Sequence, residues 1–475
     1  MRSCLRRAVG LALSLTFLSA CAAKREPLDP TESPAVWTWV SGSDETWEAG
    51  VYGTKGVASP ANVPGARYRA ASWIDSAGRL WLFGGDGRDS TGWHDLLNDL
   101  WMFDPGTSEW TWISGSDLID DAGSYGTKGV AVPSNVPGAR YSSVCWADGD
   151  GRFWLFGGIG FVAPGTFGRL NDLWSFDPMA GVWTWMGGSN GLDQLGVYGT
   201  KGLSHPSNCP GARDGAVCWW DPAGRLWLFG GSGFGQSGYA GVLNDLWRLE
   251  GSTLEWTWVA GDCETDQLGS YGTKGVGDYA NVPGARLGSA TWRDSAGRLW
   301  LFGGQGWGSD FDGNVFFLND LWSFDPSSGD WTWVAGSDRV GAVGDYGSLG
   351  VAAATNIAGA RLNPACWHGT GGAFWLFGGV GYGEANLDGL LCDLWEYNQG
   401  SGLWTWMGGP KNPNLIGTYG TLGVPAAMNH PGSRSCSASW VDSQGRHWLF
   451  GGYGYGTDAT YSGLLNDLWR YDRPR

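Results

Sequence analysis

Histidine is scarce in this 475-residue chain. His94, His205, His368, His430 and His447 are scattered singly, and no His-x-His or His-Glu-x-x-His spacing occurs, so no sequence-local transition-metal site is expected. Charge is thin too. Asp, Glu, Lys and Arg make up 16% of residues and are weighted to one sign, with 46 acidic against 30 basic residues and a net charge of -16. That balance disfavours nucleic acid and anionic lipid surfaces as partners. Phosphate-loop motifs are missing despite 83 glycines: the recurring Phe-Gly-Gly closes an apolar run and opens no helical pattern. EF-hand spacing is missing as well. Asp86, Asp89 and Asp95 crowd one loop and Asp310 and Asp312 another, but neither follows the calcium-loop pattern, so calcium is left open and unassigned and no other cofactor is implied. Beyond residue 18 no apolar stretch approaches the length needed to span a bilayer.

What the chain has in excess is tryptophan, 34 residues, an abundance incompatible with a disordered composition. Its start carries a processing pattern. Arg2, Arg6 and Arg7 precede a short apolar run at residues 9–18, followed by Leu18-Ser19-Ala20-Cys21. This resembles a bacterial lipobox with Cys21 as the lipidated first residue; removing what precedes it makes the net charge about three units more negative. By resemblance to Gram-negative lipoproteins, Ala22 after the cysteine implies sorting to the outer membrane. The expected division is a signal peptide at 1–20, a lipidated tether at 21–36 and one folded domain at 37–475.

That domain is a repeat. Phe-Gly-Gly begins at 83, 156, 229, 302, 377 and 450, spacings of 73, 73, 73, 75 and 73 residues. Around each copy lie four short apolar or alternating runs split by turn signals, which read as four strands. An arginine opens the first (Arg67, Arg140, Arg213, Arg286, Arg361, Arg434), Asp-Leu-Trp marks the third and Trp-Thr-Trp the fourth. The motifs are out of phase at the ends. A lone fourth strand at residues 37–40 comes first, and the last copy stops after its third strand at 469–472. Pairing the two closes a ring without a free edge. The expected fold is therefore all-β: a six-bladed β-propeller of four-stranded antiparallel blades, closed by an N-terminal outer strand.

The Gly-Gly doublet, the Asn-Asp-Leu-Trp-x-Phe-Asp-Pro run and the tryptophan after it resemble the kelch family of β-propellers across nearly the whole domain. The period is longer than the roughly 50 residues of a kelch repeat. The excess sits between the fourth strand and the next first strand, where Tyr52-Gly53-Thr54-Lys55-Gly56 and Asn62-Val63-Pro64-Gly65-Ala66 recur nearly verbatim. Such recurrence predicts one ordered conformation, packed on a neighbouring copy and widening the ring. The Gly-Gly pair predicts a sharp exit from the second strand.

The repeated arginines are expected to bridge backbone carbonyls or an aspartate of an adjacent loop. Cys145, Cys218 and Cys366 share a position with Ser72, Thr291 and Ser439 and read as small core thiols. Cys209 and Cys263 are the best-placed disulfide pair, with Cys392 and Cys436 weaker candidates. The propeller topology puts the long loops and the loops between second and third strands on one face. Five residues past each Phe of Phe-Gly-Gly lie Arg88, Phe161, Phe234, Trp307, Tyr382 and Tyr455, a predicted circle at the funnel mouth, with Trp93, Phe167, Tyr239, Phe317 and Tyr461 further along. Aromatic side chains there suit a glycan or a protein hot spot, or else pack the loops onto the blades. The expectation is a monomeric, envelope-anchored binding or scaffold protein whose partner is a glycan or an envelope or extracellular protein. Its only membrane contact is the lipid, and it has no catalytic or metal residues. Two alternatives stand beside it. Kelch-type propellers include sugar epimerases and oxidases, which would require non-recurring acids or histidines to converge in the funnel. The other is a purely structural envelope protein.

Overall fold

The computed structural model describes residues 36–310, 316–458 and 460–473. Cys21, the processing segment and Asp312 lie outside the described residues.

Six antiparallel sheets follow one another along the chain, and no α-helix is found among the described residues. In the first blade, Arg67–Tyr68 and Ala71–Ile74 pair with Leu80–Arg88, which pairs with His94–Asp104, which pairs with Glu109–Ser114. The ring closes as the motif phase predicts. Val36–Ser41 runs antiparallel to Gly463–Asp472, with Trp37 opposite Tyr471 and Trp39 opposite Trp469. The all-β six-bladed propeller is thus observed, with three departures from the sequence reading.

The innermost strand is two short segments rather than one. Between them sits a residue with positive φ in all six blades, Arg69, Ser142, Gly215, Gly288, Asn363 and Cys436. The Gly-Gly doublet is not an exit. Both glycines have positive φ, at +63° and +100° for Gly84 and Gly85, and the ladder slips register there. The pair forms a bulge that re-aims the strand, which continues to Arg88. A side chain on Gly84 would lie 2.8 Å from the Arg140 carbonyl oxygen of the next blade, so the site admits only glycine.

The long loop lies along the outer edge of the blade it leads into. Gly56 donates its N–H to the Trp112 carbonyl (2.7 Å), and the same bond recurs from Gly129, Gly202, Gly275, Gly350 and Gly423. It widens each blade and covers an edge strand that would otherwise be open to pairing. Lys55 lies over the Trp112 ring at 4.1 Å and donates to the Gly115 carbonyl.

Tryptophan supplies the packing between blades. Trp73 stacks on Phe153 of the next blade at 5.3 Å and donates its indole N–H to the Trp146 carbonyl. Trp101, Trp110 and their counterparts are fully buried.

Candidate functional site

The recurring polar residues belong to the frame. Arg67 forks onto Asp99 through two bonds of 2.6 and 2.7 Å and donates further to the Gly65 and Gly84 carbonyls. Asp99 also accepts from the Tyr52 hydroxyl and the Trp101 indole. One carboxylate thus joins the incoming loop, the inner strand and the third strand, and this is repeated in every blade. Burial, followed by the Asp99 charge, pushes the Tyr52 phenol well above its usual range. The adjacent asparagine holds the departing loop: Asn98 accepts from Ser116 N–H and donates to the Pro137 carbonyl. In the fifth blade this residue is Cys392, and Ser433, where other copies have alanine, donates to its sulfur and accepts from Leu415 N–H.

The aromatic circle is mostly frame too. Phe161 and Trp307 are buried, and Arg88, Phe234, Tyr382 and Tyr455 are half-buried. The backbone N–H of each bonds to the carbonyl of the loop residue before the repeat arginine, as Arg88 does to Ala66. The Arg88 guanidinium packs over Trp47 at 5.4 Å and donates to the Gly92 carbonyl. Of the outer set, Trp93, Phe167, Tyr239 and Tyr461 are exposed and Phe317 is half-buried.

The thiols are free among the described residues, so neither Cys209–Cys263 nor Cys392–Cys436 is a bridge. Cys209 occupies a position held by Val63, Val136, Val282 and Ile357 in other copies and accepts from Asn171, which makes it a packing residue. Cys145 and Cys218 donate S–H to the carbonyls of Ser72 and Cys145 in the preceding blades, and burial pushes the Cys145 thiol up to about 11. The acidic loop is likewise tied down: Asp89 is buried and caps Thr91 and Trp93, while Asp86 pairs with His94. No cluster of three or more metal-ligating side chains occurs among the described residues.

The copies also differ at the axis. The positive-φ residues of the inner strands form a closed circle of backbone hydrogen bonds. Arg69 N–H donates to Cys436, Cys436 to Asn363, Asn363 to Gly288, Gly288 to Gly215, Gly215 to Ser142 and Ser142 back to Arg69, at 2.8–3.0 Å. Above the arginine side of this ring opens a cavity of ≈ 480 Å³. It is lined by Tyr68, Arg69, His94 and Trp47 at the first blade, by Leu362, Asn363, Val380, Leu390 and Asn414 at the fifth, and by Ser435, Cys436, Tyr453, Tyr455 and Leu464 at the sixth. Tyr455 is the member of the predicted circle that reaches it.

The mouth is chemically divided. At one inner-strand position the six residues are Tyr68, Tyr141, Asp214, Leu287, Leu362 and Ser435. The polar side carries an Arg169–Asp214 ion pair (2.9 Å) and a His94–Asp86 pair (2.6 Å) whose aspartate also accepts from the Tyr68 hydroxyl. Burial pushes the Asp214 carboxyl up against the opposing pull of Arg169, and burial followed by Asp86 raises the Tyr68 phenol. Sequence reasoning named Asp86 and His94 only in setting aside metal motifs and missed Tyr68, Arg169 and Asp214, because it followed what recurs. The detectable signal was the opposite one: variable residue type at a fixed offset of one or two from an invariant arginine.

No protein-family model matches the chain, and no curated protein matches it either.

Proposed function

We propose that the chain is a kelch-type propeller, tethered to the bacterial outer membrane through a lipidated Cys21, which binds a glycan or an envelope protein in the funnel on its long-loop face. One observation carries this reading. The six copies repeat the buried arginine–aspartate pair of the frame and differ at the inner-strand positions that face the mouth, and there a cavity opens with an apolar wall at Leu362, Val380 and Leu390 and hydrogen-bonding groups at Tyr68, Asn363, Ser435 and Tyr453. Ligand sites combine a mostly apolar lining with a few placed polar groups in this way.

A screen of glycans and envelope extracts tests the binding site. Tyr453→Ala and Leu390→Ser, both on the cavity wall, are expected to lose a ligand that the wild type retains, while Phe167→Ala, on an exposed outer loop, keeps it. Retention by both cavity variants removes the funnel from the reading. For the anchor, Cys21→Ala is expected to release the protein or leave its signal uncleaved. A variant that is cleaved normally and stays in the membrane fraction removes the lipoprotein assignment.

A second reading has one specific support. His94 Nε2 is held 2.6 Å from Asp86 at the cavity wall, an imidazole oriented by a carboxylate, which is an arrangement suited to general acid–base chemistry. An enzyme acting on the bound ligand is expected to lose turnover in His94→Gln while keeping binding.

A further inference from the structure

Resting on the funnel as the binding site, we propose that its ligand is a small monocarboxylate and that Arg69 is the residue that takes the carboxylate group.

Arg88 and Arg473 share with Arg69 a buried Nε without a hydrogen-bond partner, but neither of them lines the cavity. Each blade arginine forks onto its own aspartate, and Arg169 has Asp214. Arg69 differs. It lines the cavity, its guanidinium carbon lies 5.4 Å from the Tyr68 ring and 5.6 Å from the Tyr141 ring, and its Nε is buried without a hydrogen-bond partner. Among the described residues it has no carboxylate within ion-pair distance. A half-buried cation without a counter-ion is costly to maintain, and a protein of net charge -16 has no shortage of carboxylates with which to neutralise it. The aromatic faces flank the cation and the Cys436 side chain reaches part of the guanidinium, while its Nε keeps no partner and is left to a planar anion.

The surroundings narrow the anion. Asp86 and Asp214, on the same side of the mouth, are already paired with His94 and Arg169, so one guanidinium is left to face the ligand; it balances one carboxylate but only half of a doubly charged phosphate or sulfate. Asn363, whose amide donates to the Cys436 sulfur at 3.1 Å, shares the ring with Arg69 and lines the same cavity, while Leu362 and Leu390 limit the space opposite to a compact apolar or hydroxylated body. The cavity volume of ≈ 480 Å³ falls in the range that holds a small molecule.

The position also supplies a clean variant. Asn363 occupies the equivalent place in the fifth blade with the same handedness of backbone, so Arg69→Asn removes the charge and leaves a residue that the ring already accommodates. The experiment compares the full-length wild type with Arg69→Asn against matched pairs, glucuronate with glucose and gluconate with glucitol, plus inorganic phosphate. Binding is read by calorimetry and by protection of Cys436 from a thiol reagent, mapped by peptide mass. The expected result is that at least one carboxylate binds the wild type at least tenfold more tightly than its neutral counterpart and than phosphate, protects Cys436, and loses that preference in Arg69→Asn. Equal binding of charged and neutral members, full affinity in Arg69→Asn, or a preference for phosphate overturns the carboxylate proposal while leaving the funnel as a binding site. Failure of every carboxylate to bind also overturns it. The funnel itself then stands or falls on the glycan and extract screen with Tyr453→Ala and Leu390→Ser.

Discussion

The ring of Trp37 lies 5.0 Å from that of Tyr471, so the first and last described strands share one blade and one core cluster. Trp37 also packs against Trp367 and Phe377 of the fifth blade, at 6.5 and 5.4 Å. The closing strand is therefore both the edge partner of the sixth blade and part of the packing between two blades.

Removing residues 22–34 is expected to leave the melting temperature unchanged, because the closing strand Val36–Ser41 stays intact, whereas removal through Val40 lowers it sharply. Trp37→Ala alone costs about 3–5 kcal/mol, the range for a large aromatic truncated in a core. Equal thermal midpoints for the two truncations contradict closure by this strand.

Asp99→Asn leaves the Arg67 guanidinium buried without its anion and is expected to destabilise the protein by about 3–5 kcal/mol. Replacing both members, as Arg67→Met with Asp99→Leu, costs less than Asp99→Asn alone if charge burial is the reason. Denaturant unfolding of the two variants decides this, and a double variant worse than the single one points instead to the Tyr52 and Trp101 bonds.

A methyl group on Gly65 would lie 1.9 Å from the Arg88 carbonyl oxygen, and the same approach recurs at Gly138, Gly211, Gly284, Gly359 and Gly432. Here the glycine is required by close backbone approach. Gly65→Ala is expected to cost about 1–3 kcal/mol and to loosen the long loop from the blade top. Faster amide exchange at Val51 and Ala66, both bonded within that loop, is the accompanying signature.

Burial together with the neighbouring Asp95 raises the Asp120 carboxyl to about 6. Its pKa in the unfolded chain is lower, about 4, so the native state binds the proton more readily and the wild type gains stability as pH falls from about 6 toward 4. Asp120→Asn removes the repulsion, and asparagine suits the positive φ, as Asn414 does at the matching position. The variant is expected to melt higher than the wild type at pH 7–8, with the gap closing through that window. A gap independent of pH contradicts the account.

Cys218→Ser is expected to be tolerated within roughly 0.5 kcal/mol, because Ser439 makes the same bond to a preceding-blade carbonyl that Cys218 makes. The native protein should carry free thiols at all seven cysteines from Cys145 to Cys436, read as alkylation after denaturation without reductant.

The sequence by itself determined the number of blades and the phase of closure. Each depends on a motif repeated six times; the recurring arginine announced a bridging role, but only the structure paired Arg67 with Asp99, on the third strand rather than in a loop. The one-sided placement of the loops followed from the same topology. The split inner strand, the Gly-Gly bulge and the edge-covering path of the long loop were decided by tertiary structure, because each depends on hydrogen bonds between segments that no local pattern connects. The cavity depends on it most. Arg69, Asn363 and Cys436 come from three different blades, and only the closing of the ring brings their backbones within bonding distance and turns their side chains toward a common space. Recurrence hides such a site, since a repeat advertises the residues that build it, and the residues that use it are those departing from the repeat.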